Sequence, residues 1–188
     1  MLNHQHWPRT KRPFSFRGRI RVTTSRCVLL MATSTSKSPK RTPHPTGSYA
    51  LVLRLPSRRK IRVGKLGLVE FPRGHYVYFG SALGGLNARV ARNLSNDKKL
   101  HWYADYLSAE VPWEYAWQLA DGYRLECIWA CGAMATIGVD VPAPGFGSSD
   151  CRCRSHLVRV STARGVRDLL RGLTTTPRGL RLQSMKSS

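Results

Sequence analysis

The sequence predicts an α+β domain: a small mixed, mainly antiparallel sheet of three to four strands, flanked by helices and set between two basic tails. Three observations carry that prediction. "YALVLRL" at 49–55 and "HYVYFG" at 75–80 are rich in β-branched, aromatic and aliphatic residues with a period of two. After the Gly84-Gly85 step, Leu83, Leu86, Val90 and Leu94 recur at spacings of three and four, the stripe of a helix. The charge is concentrated outside this region, in segments with little to bury.

Order is expected from Gly47. In the first strand Tyr49, Leu51, Leu53 and Leu55 share a face. "SRRK" turns, and "IRVGKLG" leads to a second short strand. In the third strand Val77 and Phe79 face one way, Tyr76 and Tyr78 the other. Strands this close in sequence pair as antiparallel neighbours. The helix after Gly85 carries Arg89 on the flank of its apolar stripe. A second helix is expected over 99–108, ended before Pro112. "WEYAWQLA" (113–120) alternates as a strand. "RLECIWACGAMA" (124–135) reads as a partly buried helix, 141–150 as a Pro/Gly loop, and 155–161 as a last edge strand. The domain is thus placed at 47–160, with a basic tail at 161–188 in which "GVRDLLRGL" forms a short helix.

The chain of 188 residues has a formal net charge of +21. Residues 1–46 hold ten Lys/Arg and no acid; residues 159–188 hold seven and the single Asp168. Such a chain seeks polyanions, nucleic acid first. No apolar run approaches the roughly 20 residues of a membrane span, so no membrane partner is expected. Five cysteines, an odd number, do not suit a secreted disulfide scaffold. A reducing, cytoplasmic setting is expected, nucleoid-associated or not. The acid-free, Ser- and Arg-rich segment 1–46 fits three readings: a disordered tail, an organelle transit segment, or a reading frame extended upstream of Met31. Oligomeric state is not legible.

"GHYVYFGSALGGLNARVARN" (74–93) carries the chemistry. A strand ending in Gly80-Ser81 and passing through Gly-Gly into a helix lets backbone approach an anion closely. Arg89 brings a planar cationic fork that matches phosphate; Arg92 and Asn93 follow as further candidate substrate contacts. The Tyr78 hydroxyl is placed to hold a water, but a phenol with a reference pKa of about 10 needs nearby cations to act as a base. Packing alone also explains tyrosines on a strand and an arginine beside an apolar stripe.

"GSYALVLRL" and "YVYFGSALGGLNARVARN", followed by "KLHWYADYL", "LEC" and "GFGSSDCRCRSHL", resemble the GIY-YIG nuclease superfamily over roughly 47–160. The closer similarity is to its Uri-type branch, the DUF123 group. The resemblance implies a metal-dependent endonuclease acting on DNA, with RNA left open. It places the signature tyrosines at Tyr49 and Tyr78, the phosphate-contacting arginine at Arg89 and the ligand of a single Mg²⁺ or Mn²⁺ at Glu126. His101, in the "KLHW" motif, and His156 fit a proton-carrying role and a structural hydrogen-bonding role equally. These parts match what phosphodiester hydrolysis needs: a nucleophile, a Lewis acid and cationic stabilisation. Two positions depart from the pattern. Asn93 stands where many members have histidine, and the branch's His-Trp-His reads His101-Trp102-Tyr103. The alternative is therefore a non-catalytic nucleic-acid-binding module on a degenerate nuclease site.

A second cluster is Asp150, Cys151, Cys153 and His156, with Cys127 and Cys131 one turn apart on the 124–135 helix. The resemblance gives the 150–156 segment a structural or second-site role without defining it. Zinc is disfavoured here, since C-x-C-x2-H is not a standard finger spacing and helix cysteines are often core. A zinc-stabilised interaction domain remains the third reading.

Overall fold

A computed structural model describes residues 44–174 and the backbone of 183–186. The chain is α+β. The strands are β1 (Gly47–Leu55), β2 (Arg59–Arg62), β3 (Leu68–Phe71), β4 (Gly74–Ala82), β5 (Tyr115–Leu119), β6 (Val139–Asp140), β7 (Leu157–Val160) and β8 (Gln183–Lys186). The helices are α1 (Leu86–Leu94), α2 (Tyr103–Glu110), α3 (Glu126–Met134) and α4 (Ala163–Thr174).

Six strands form one sheet in the order β6-β7-β4-β1-β5-β8, every neighbouring pair antiparallel. β2 and β3 pair separately as a hairpin. The sheet is therefore wider than three or four strands and wholly antiparallel. β7 is not an edge strand: the two-residue β6 covers it, with Val139 opposite Val160. So short a strand leaves no alternation to read in the sequence.

β1 and β4 lie at the centre because both of their faces are apolar. One face holds Tyr49, Leu51, Leu53 and Leu55 of β1 with Tyr76 and Tyr78 of β4, packed against Leu86, Val90 and Leu94 of α1 and Leu107 of α2. The other holds Ala50 and Val52 with Val77 and Phe79, packed against Trp129, Ala130 and Ala133 of α3 and Val166, Leu169 and Leu170 of α4. The facing predicted for these residues is the observed one. Across the strand pair Leu51 opposes Tyr78, and Tyr49 opposes Gly80.

Two boundaries move. Order begins before Gly47, since the carbonyls of Pro45 and Thr46 accept bonds from Leu86 and Gly122. Order also continues past 160: α4 buries three aliphatic side chains in the second core, so 161–174 is packed structure and not tail. The expectations for 1–43, 175–182 and 187–188 lie outside the described residues.

Candidate active site

The site lies at the Gly47/Ala82 end of the β1–β4 pair. There β4 runs past β7, and the loop 141–156 crosses its edge. His156 is pinned to that edge by the Phe79 N–H, which donates to its carbonyl at 2.9 Å.

Six of the sequence-predicted residues, Tyr49, Tyr78, Arg89, Asn93, Glu126 and Asp150, share one electrostatic neighbourhood. Tyr49 is 3% exposed, and Arg89 and Asn93 of α1 both face its hydroxyl. Burial pushes the Tyr49 phenol up, against the lowering influence of Asn93 and Arg89. Tyr78 is also pushed up, first by burial and then by Tyr49; Arg89 opposes this, while Glu126 and Asp150 add to it. The tyrosines, the guanidinium and the carboxylates therefore lie within electrostatic reach of Tyr78. The cation expected to activate Tyr78 is present, but burial outweighs it. Both phenols stay neutral at neutral pH.

Asn93, in the place of the superfamily's histidine, is buried. Its Nδ2 completes no hydrogen bond among the described residues. It faces the Tyr49 hydroxyl without closing a full hydrogen bond, so a ligand acceptor would compete with that phenol for it.

Glu126 begins α3 and is 5% exposed. Its two oxygens have different partners. Oε1 accepts from Arg124 Nε at 3.0 Å and Nη2 at 2.8 Å. Oε2 accepts from the hydroxyl of Ser81. Ser81 in turn shares a 2.7 Å hydrogen bond with Ser48, whose Oγ accepts from the Leu125 N–H at 2.7 Å. Ser81 thus braces the carboxylate from the strand, and Ser48 fixes the entry to the helix. Arg124 also lies 3.8 Å from Asp150 and is more than half exposed, so its fork can leave Glu126 without disturbing the core. Released from Arg124, that carboxylate with a hydroxyl beside it would suit a hard divalent ion that keeps some of its water.

Gly80 serves this site by having no side chain: a Cβ there would sit 2.5 Å from the Tyr49 hydroxyl. Gly147 does the same for Tyr78, at φ +71° and 2.7 Å from the ring.

Arg92 lies within electrostatic reach of Tyr49, but its donors are committed to other partners. Arg92 gives its fork to Asp105 at 2.9 and 3.0 Å and to the Lys99 carbonyl at 2.9 Å. It braces α1 against the start of α2 instead of offering an open cation. Asp105 is 1% exposed and also accepts the amides of His101 and Trp102. His101 is exposed and lies edge-on to Trp102, whose ring supports Arg89 at 5.0 Å. His101 is thus one layer out, and Trp102 is the residue that positions the arginine. Ser48, Arg124, Trp102 and Asp105 were not singled out from sequence. Their roles depend on cross-strand register and on the fold of the 95–102 turn, which leave no local pattern.

Cys151, Cys153 and His156 meet Cys127 beside Glu126. The His156 Nε2 lies 3.4 Å from Cys151 Sγ and 3.6 Å from Cys127 Sγ, and all four potential ligand atoms fall within 4.8 Å of one another. Cys131 is not one of the four. Burial pushes the Cys127 thiol up to about 11 and Cys153 higher still, and it pushes His156 down.

The family described as "Domain of unknown function DUF123" matches residues 48–176. The chain belongs to the DUF123 family. The matched DUF123 region ends just beyond α4, in agreement with the packing of that helix. Searches of curated proteins and of solved structures gave no match to this DUF123 chain. Among the described residues no helix is long and apolar enough to cross a membrane.

Proposed function

We propose that this DUF123 protein is a metal-dependent endonuclease that hydrolyses DNA phosphodiester bonds. The observation that carries the reading is the convergence of Tyr49, Tyr78, Arg89 and Glu126 from β1, β4, α1 and α3. The resemblance to GIY-YIG nucleases of the Uri type assigns roles to the same four residues.

In this reading Arg89, steadied on Trp102, binds the scissile phosphate and offsets the charge that builds on it. Asn93 Nδ2 gives a further hydrogen bond to a phosphate oxygen. The neutral hydroxyls of Tyr49 and Tyr78 orient the attacking water; neither takes its proton directly at neutral pH. Glu126 would hold Mg²⁺ or Mn²⁺ once Arg124 swings aside. When bound, that ion supplies Lewis acidity at the phosphate. The basic surface and flanking segments supply affinity that is not sequence-specific.

The test is incubation of the full chain with duplex, single-stranded and branched DNA, and with RNA, in Mg²⁺ or Mn²⁺. Cleavage is expected with DNA. Glu126→Gln and Arg89→Ala should each lower it by about 10²-fold or more, with circular dichroism unchanged. Tyr78→Phe keeps the ring packing and should also slow cleavage. Full activity in Glu126→Gln would remove the reading.

Burial of both phenols favours one alternative, a module that binds nucleic acid without cutting it. It requires steeply salt-dependent binding and no turnover with any divalent ion.

A further inference from the structure

We propose that Cys127, Cys151, Cys153 and His156 form a closed, structural zinc site that fastens the start of α3 to the loop 141–156. This inference is independent of the phosphodiester reading and stands whether or not the chain cuts DNA.

The geometry is the first argument. Zinc bonds of about 2.3 Å to sulfur and 2.0–2.1 Å to nitrogen, at tetrahedral angles, give sulfur–nitrogen edges of about 3.6 Å. Two of the three sulfur–nitrogen distances here are 3.4 and 3.6 Å, and the third lies within 4.8 Å. Tetrahedral sulfur–sulfur edges come to about 3.8 Å, and the whole group already lies within 4.8 Å. Rotamer adjustments of the thiols complete the tetrahedron.

Ligand chemistry is the second. Three thiolates and an imidazole are a soft set that selects zinc over the hard magnesium or manganese expected at Glu126. On binding, each thiol gives up its proton to solvent, so a neutral Cys₃His set becomes a zinc complex of net charge −1. Four protein ligands leave no open position for water, which makes the site structural and not catalytic.

The third argument is connectivity. Cys127 follows Glu126 directly, while the other three ligands come from a loop that is already closed. The Gly145 N–H donates to the Arg154 carbonyl at 2.7 Å, and the His156 N–H to the Phe146 carbonyl at 2.8 Å. The same loop presses Gly147 onto the Tyr78 ring. One zinc would therefore join two segments that 24 positions of chain separate, and hold Glu126 and Tyr78 against a single wall. The spacing is unlike a finger because the ligands come from a helix start and a returning loop.

The test uses the full chain, expressed and purified without added zinc. Elemental analysis should give one zinc per chain. Thiol titration should show three cysteines protected until a chelator is added. Cobalt substitution should give the intense visible bands of a tetrahedral thiolate site. Cys151→Ser and His156→Ala should lose the zinc, while Cys131→Ser keeps it. Chelation should lower the melting temperature of the wild-type chain, a readout that does not depend on any variant folding. Freshly purified protein with no zinc, a Cys127–Cys153 disulfide in a non-reducing peptide map, or full zinc in Cys151→Ser would each overturn the proposal.

Discussion

The Tyr49 ring occupies the space that any side chain at position 80 would need. The two residues face each other across β1 and β4, and a Cβ on Gly80 would lie 2.5 Å from both the ring and its hydroxyl. Tyr49 cannot give way cheaply, because it is 3% exposed and faced by Arg89 and Asn93. Gly80→Ala should therefore destabilise the fold by about 1–3 kcal/mol, the range for overpacking a filled core. In a Tyr49→Ala background the same substitution should cost much less, because the obstacle is gone. Urea denaturation of the four proteins in this cycle checks both statements. A neutral Gly80→Ala in the wild-type background would mean that the ring is not held.

Asp105 ties α1 to α2 and sets an acid limit on stability. Burial works to raise its pKa, but the hydrogen bonds from Arg92 and from the amides of Trp102 and His101 outweigh this. They hold the carboxyl below its ordinary value of 3.8. The folded value lies below the unfolded one. The stabilisation is thus complete above about pH 4 and is lost as pH falls through the folded value. Asp105→Asn should cost about 2 kcal/mol or more at pH 7, since it leaves Arg92 without its counter-charge. It should also flatten the loss of stability on the acid side. Melting temperatures of both proteins between pH 2 and pH 7 decide this; parallel curves would remove Asp105 from the account.

Much of the frame was legible because residues 49–55 and 75–80 are unbroken runs of strand-forming residues, which the two-residue period of a strand sorts onto faces before any coordinates. The tyrosine pair, Arg89 and Glu126 were legible through a motif, and the fold brings them into one neighbourhood. What the sequence hides is whatever depends on register or on loop path. Ser48 reaches Ser81, and through it Glu126, only because β1 pairs with β4 at that offset. Cys127 and Cys131 look equivalent, one helical turn apart, yet only Cys127 joins the Cys/His group, and it lies in the first turn of α3. Arg92 looked like a phosphate contact because its role as a brace depends on Asp105, thirteen positions away.

The C-terminal boundary gives the most direct contrast between charge and packing. Read by composition, 161–188 is a basic tail with a short helix. Read by burial, Val166, Leu169 and Leu170 close the second core over Phe79 and Trp129. The Leu173 side chain lies where a Cβ on Gly132 of α3 would come, at 2.8 Å, so the two helices meet closely. Leu170 is 2% exposed, while Arg167, one turn earlier at the flank of the same apolar stripe, is exposed. Leu170→Ala should therefore lower stability by about 2–4 kcal/mol through lost transfer energy and the cavity left behind. Arg167→Ala should stay within about 0.5 kcal/mol. A tail would make the two substitutions equally silent, so paired urea melts separate a packed helix from an appended one. If Leu170→Ala leaves the midpoint unchanged, α4 does not belong to the core and the domain ends at β7.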